Sequence, residues 1–125
     1  MKNVFIIDDD KFLLDMYALK FQESGYEVQV ATNGSEALAK LNEGYRPNMV
    51  LLDIVMPGMD GLEFLKQAKE KKVLGSAIVV ILSNLGQHED IERGIEQGAK
   101  DYIVKASFTP REVVMKVSSI LEKQI

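Results

Sequence analysis

A chain of 125 residues has room for one domain with a modest core. Its 15 Lys and Arg against 19 Asp and Glu leave a net charge of −4, which disfavours a non-specific nucleic-acid surface, since that would carry a basic stripe. The absence of Cys excludes a disulfide framework, a zinc–thiolate site and a thiol nucleophile. With no signal-peptide pattern and no apolar run near the ~20 residues of a membrane span, a cytoplasmic protein is expected.

Apolar runs alternate with helical patterns along the whole chain. The first strand, Asn3–Ile7, runs straight into Asp8, Asp9 and Asp10. Carboxylates closing a hydrophobic strand repel one another, and near a low-dielectric core they need compensation. A hard cation such as Mg2+, which takes one or two carboxylates with waters and phosphate oxygens, supplies it for Asp8 and Asp9. Asp10 alone reads as a solvated cap of the next helix, Lys11–Ser24.

That helix has more apolar residues than one stripe needs. Leu13, Met16, Tyr17 and Phe21 are expected to form its core face, leaving Leu14 and Ala18 beside the acidic pocket. A second strand, Tyr26–Ala31, and a helix, Ser35–Asn42, follow, with the spacing of Asn33 and Glu36 predicting a capping box.

The third strand, Asn48–Leu52, opens the most informative segment, Val50-Leu51-Leu52-Asp53-Ile54-Val55-Met56-Pro57-Gly58-Met59-Asp60-Gly61. A continuous apolar run is the mark of a buried parallel strand. Ligands of open α/β sheets sit at the carboxyl ends of such strands, which is where Asp53 stands.

Beyond it lie a helix at Gly61–Lys71, a strand at Ala77–Leu82 delivering Ser83, a helix at His88–Gln97, a strand at Asp101–Val104 delivering Lys105, and a helix at Pro110–Lys123. Asp60 with Glu63 and Thr109 with Glu112 repeat the capping-box spacing, and Pro110 suits a first helical position. Gly25, Gly44 and Gly98 stand where left-handed helix caps are expected. His88 has no ligand companion and is expected to be solvated.

Strands separated by helices of this length predict a parallel sheet. Right-handed crossovers favour a flavodoxin-like, doubly wound sheet of order 2-1-3-4-5 with five helices. Residues 1–125 are expected to form a single domain. In that order Asp8, Asp9 and Asp53 converge, with Ser83 and Lys105 feeding the same rim.

The acidic pair, the Asp-x-x-Met-Pro-x-Met-Asp-Gly run from Asp53, the hydroxyl of Ser83 and the amine of Lys105 resemble the pattern of bacterial response-regulator receiver domains over essentially the whole chain. That resemblance implies that Asp53 accepts a phosphoryl group from a sensor histidine kinase or histidine phosphotransfer domain. It implies Mg2+ on Asp8, Asp9, Asp53 and the backbone carbonyl of Val55, and Lys105 neutralising charge on the phosphoryl group. It also implies a switch in which Ser83 moves toward that group and Tyr102 turns inward, repacking the face of the fourth helix, fifth strand and fifth helix. Docking surfaces of the family place the phosphodonor against Leu14 and Ala18. Only self-catalysed phosphotransfer and slow dephosphorylation are expected, so the chain would be a signalling domain rather than an enzyme. It would be a monomer or a phosphorylation-linked dimer, free-standing or the N-terminal part of a longer regulator with an unknown output, touching neither nucleic acid nor membrane directly.

Some positions depart from that pattern. Ser83 replaces the usual Thr, Asn84 a smaller residue, and Ala106 the usual Pro, so a trans Lys105–Ala106 bond is expected. Val55 and Leu85 are apolar where related domains often orient hydrolytic water, which predicts a long-lived phosphorylated state. A phosphohydrolase with an aspartyl nucleophile would want a second Asp at Val55, and a flavodoxin would want a hydroxyl- and glycine-rich loop in place of Asp8–Asp10. A degenerate receiver acting only in docking would not need the intact acidic set.

Overall fold

A computed structural model describes residues 2–84 and 86–123, so Leu85 lies outside the described residues. In chain order the elements are β1 (Asn3–Ile7), α1 (Lys11–Glu23), β2 (Glu27–Ala31), α2 (Gly34–Asn42), β3 (Met49–Asp53), α3 (Gly61–Glu70), β4 (Ile78–Ser83), α4 (His88–Glu96), β5 (Asp101–Val104), a short 3-10 turn (Lys105–Ser107) and α5 (Pro110–Glu122). The strands are all parallel, in the order β2-β1-β3-β4-β5.

Alternation along the central strands divides the core in two. Phe5 and Ile7, Val50 and Leu52, and Val79 and Ile81 pack into one layer with Leu38, Phe64 and Leu65. Val4 and Ile6, Met49 and Leu51, and Val80 and Leu82 pack into the other with Phe21, Val113 and Val117. Because β3 is buried along its whole length, both its faces are apolar and the strand reads as an unbroken hydrophobic run.

Element ends differ from the sequence reading by a residue or two, and one shift has a clear cause. Tyr26 is not in β2, because its N–H closes the end of α1 on the Phe21 carbonyl at 3.0 Å, beside Gly25 at φ +91°. Of the three predicted capping boxes, only Thr109 and Glu112 make the reciprocal pair. Asn33 and Asp60 accept from the N–H groups of Glu36 and Glu63, but the Glu36 carboxylate turns to Thr32 instead.

The face of α1 corrects the sequence reading. Leu14 is 2% exposed and packs in the core with Tyr17 and Phe21, while Leu13 and Met16 are only half-buried. Leu14 therefore cannot serve as an exposed docking position, and Ala18 is half-buried. Eight apolar residues wrapped around one helix leave its stripe undefined by periodicity alone. The outward apolar residues are Phe12 and Leu19.

The loop from Ile54 to Asp60 folds back over the end of β3, with the Gly61 N–H donating to the Ile54 carbonyl at 2.8 Å. A side chain at Gly61 would run into the backbone of Asp53 and Ile54. Gly61→Ala is expected to destabilise the protein by about 1–3 kcal/mol, read as a lower urea midpoint at unchanged m-value.

Candidate functional site

Sheet register assembles the site. Ile7 pairs with Leu52, so one further step along both strands brings Asp8 beside Asp53. Asp53 pairs with Leu82 and Ser83 with Val104, which places Ser83 one step and Lys105 two steps past the same level. Oxygens of Asp8, Asp9 and Asp53 all lie within 4.8 Å of one another.

Asp8 and Asp53 are buried, whereas Asp9 is exposed. The Asp10 N–H donates to Asp8 Oδ1 at 2.9 Å, and Asp10 in turn caps α1 by accepting from the Leu13 N–H at 3.1 Å. The helix start thus holds one oxygen of Asp8 and leaves the other turned inward. Lys105 Nζ sits 2.8 Å from Asp8 Oδ2 and 3.3 Å from Asp53 Oδ1. Neither oxygen accepts a well-aligned hydrogen bond, and the buried Ser83 hydroxyl has no partner. Both carboxylate oxygens thus meet the one ammonium of Lys105, and a buried hydroxyl without a partner ends the neighbouring strand.

Burial, followed by the charge of Asp8, pushes the Asp53 carboxyl up to about 7, and Lys105 pulls the other way. Burial alone would lower Lys105, but its contacts with Asp8 and Asp53 outweigh this and raise it. Two carboxylates therefore compete for one ammonium. All available donors are hard oxygens, which suits a divalent cation of the Mg2+ type and gives soft metals no thiolate or imidazole.

Residues 4–118 match the model of the response regulator receiver domain family. The chain belongs to that family. It is 36% identical over 121 residues to the transcriptional regulatory protein ResD of Bacillus subtilis, covering 96% of this chain and 48% of that protein. It is 30% identical over 122 residues to the phosphate regulon regulatory protein PhoB of Escherichia coli, covering 98% and 52%. The chain therefore spans about half the length of the curated relatives it matches. Among solved structures, a receiver domain protein (CheY-like) of Methanospirillum hungatei superposes with TM-score 0.87 at 30% identity, covering 99% of this chain and 96% of that one. The receiver domain of a Francisella response regulator gives TM-score 0.83 at 30% identity, covering the whole of both chains.

In this receiver domain Val55 stands 53% exposed at the mouth of the acidic cluster. Asn84 is also exposed, its N–H held by the Gln87 side chain at 2.8 Å. Tyr102 is 46% exposed and does not line the acidic cluster; it borders a cavity of about 590 Å³ against α4, with Ile91 and Ile95 across from it. No cis peptide occurs among the described residues, so Lys105–Ala106 is trans as expected. His88 is exposed, and no helix among the described residues is long and apolar enough to cross a membrane. Tyr17 is buried, as its place on the expected core face requires, and lies near enough to feel Lys105 and the acidic residues, a proximity of which an apolar stripe gives no sign.

The raised Asp53 carboxyl has a consequence for stability. Folded, it holds its proton up to about pH 7, while the unfolded carboxyl loses it near 3.8, so metal-free stability falls as pH rises through that interval. Thermal unfolding in chelator is expected to show a midpoint falling between about pH 4 and about pH 7, and Asp53→Asn is expected to flatten that fall.

Proposed function

We propose that Asp53 accepts a phosphoryl group from the phosphohistidine of a sensor histidine kinase or histidine phosphotransfer domain, and that the α4–β5–α5 face relays the change. The observation that carries this reading is Asp53 itself, buried among Asp8 and Asp9 with Lys105 3.3 Å from its Oδ1. Asp8, Asp9, Asp53 and the Val55 carbonyl would hold Mg2+, which when bound supplies positive charge against the phosphoryl oxygens.

An Asp53 oxygen bonds to phosphorus as the bond from phosphorus to the donor imidazole nitrogen breaks, leaving an acyl phosphate. Lys105, already between Asp8 and Asp53, meets the added negative charge without leaving its place. The unpartnered Ser83 hydroxyl donates to a phosphoryl oxygen, and Tyr102 turns from its exposed position toward the space this movement opens. Apolar Val55 gives hydrolytic water no orienting group and the bulk of exposed Asn84 narrows access, which together support a slow loss of phosphate.

The phosphodonor docks on the outward side of α1, where Phe12 is 74% exposed two residues after Asp10, rather than on Leu14. Residues 1–125 form one receiver domain, monomeric or dimerising on phosphorylation, that works in the cytoplasm and controls an output domain or target protein.

Incubation with acetyl phosphate and Mg2+ is expected to add one phosphate by intact-mass spectrometry, removed by acid-labile hydrolysis. Asp53→Asn is expected to take up none, and chelation to stop the reaction in wild type. Lys105→Ala is expected to slow uptake on the order of 10²-fold. Phosphate appearing at the usual rate on Asp53→Asn would assign the acceptor elsewhere.

A further inference from the structure

The end of the sheet opposite the acidic cluster carries a second built feature. A cavity of about 360 Å³ opens between the C-terminal ends of α3 and α4. Leu65, Ala68, Leu74 and Val79 give it an apolar lining, and its polar groups are Lys69, Lys72 and Gln97. A volume of this order suits a small ligand.

Lys72 is the anomaly. It has φ +57° and is the only non-glycine residue in the left-handed region among the described residues. Its N–H donates to the Lys69 carbonyl and that of Val73 to the Ala68 carbonyl, both at 3.1 Å, so it occupies the left-handed position of a helix-ending turn. After α1, α2 and α4 that position is filled by Gly25, Gly44 and Gly98. Of these four helices only α3 puts a side chain there, against the steric preference of L-residues. That side chain is exposed and has no carboxylate partner among the described residues, so no ion pair offsets the strain.

Two further observations belong to the same cavity. Gln97 lines it, and the side-chain oxygen Oε1 is buried and accepts no hydrogen bond. Lys69 reaches over Gly98, its ammonium 3.4 Å from where a β-carbon would stand there. Partial negative charge from two helix C-termini accounts for a lysine nearby; it does not account for a second one held on strained backbone.

We propose that this cavity binds a small amphipathic anion, with a carboxylate between Lys69 and Lys72, an apolar body against Leu65, Ala68 and Val79, and an N–H or O–H donated to Gln97 Oε1. The site is remote from Asp53 and does not depend on the phosphoacceptor reading.

Indole-3-acetate carries all three features and serves as the probe, with 3-methylindole lacking the carboxylate and acetate lacking the apolar body. Amide-shift titration of the 15N-labelled 125-residue protein is expected to give saturable shifts at Ala68, Val79 and Gly98 with indole-3-acetate alone. Lys72→Gly is expected to weaken binding about tenfold while the thermal midpoint stays level or rises, because glycine relaxes the turn. Lys69→Gln is expected to weaken it similarly. Shifts that never saturate, equal binding of 3-methylindole, unaltered affinity in Lys72→Gly, or a lowered midpoint in that variant would each overturn the proposal.

Discussion

Two buried carboxylates, Asp8 and Asp53, share one ammonium, Lys105. At an effective dielectric near 20, unit charges 4 Å apart interact by about 4 kcal/mol, so the second carboxylate is a standing cost that a single lysine does not cancel. The domain therefore folds around a local excess of negative charge. A proton on Asp53 relieves it, and the cluster of Asp8, Asp9 and Asp53 could be relieved by a divalent cation in the same way. Each of these changes the reactivity of the same oxygen.

The surrounding structure is arranged so that this excess cannot relax by moving apart. Register in a fully parallel sheet sets Asp8 and Asp53 side by side at strand ends that are themselves buried. Asp10 anchors the start of α1 and its own N–H holds Asp8 Oδ1. On the other side, Gly61 lets the loop after β3 close directly against the Asp53 backbone. A conformational adjustment of even an ångström would have to disturb a helix cap or a packed strand. Charge is held in place by elements whose stability comes from elsewhere, as preorganised sites require.

Much of this was legible in the chain because it rests on short-range patterns. Buried strands announce themselves as apolar runs, and a carboxylate at the end of one has few structural uses, so Asp8 and Asp53 stood out together with the Lys105 strand end. The orientation of α1 did not, because Leu13, Leu14, Met16 and Tyr17 are all apolar and a shift of one position turns the helix by about 100°. Tertiary packing against β1 and α5 decided in favour of Leu14. The left-handed Lys72 was equally invisible: a lysine after a helix reads as a favourable end charge, and only backbone geometry reveals that it replaces a glycine.

The two ends of the sheet consequently obey different economies. At the carboxyl ends of the strands, strain is electrostatic: buried like charges are confined by well-formed caps and register. At the opposite end, near Lys72 and Gln97, charge is exposed, and the strain lies in backbone angle and in an unsatisfied amide oxygen. Between them α3 and α4 run the length of the domain, with Gly94 allowing α4 to lie so close to the sheet that a β-carbon there would meet Ile81. A side chain larger than hydrogen at Gly94, in the last turn of α4, would force the helix and Ile81 apart. The same helix contributes Ile91 and Ile95 to the groove beside Tyr102 and leads into Gln97 at the opposite cavity, so close packing at Gly94 fixes the wall that both share.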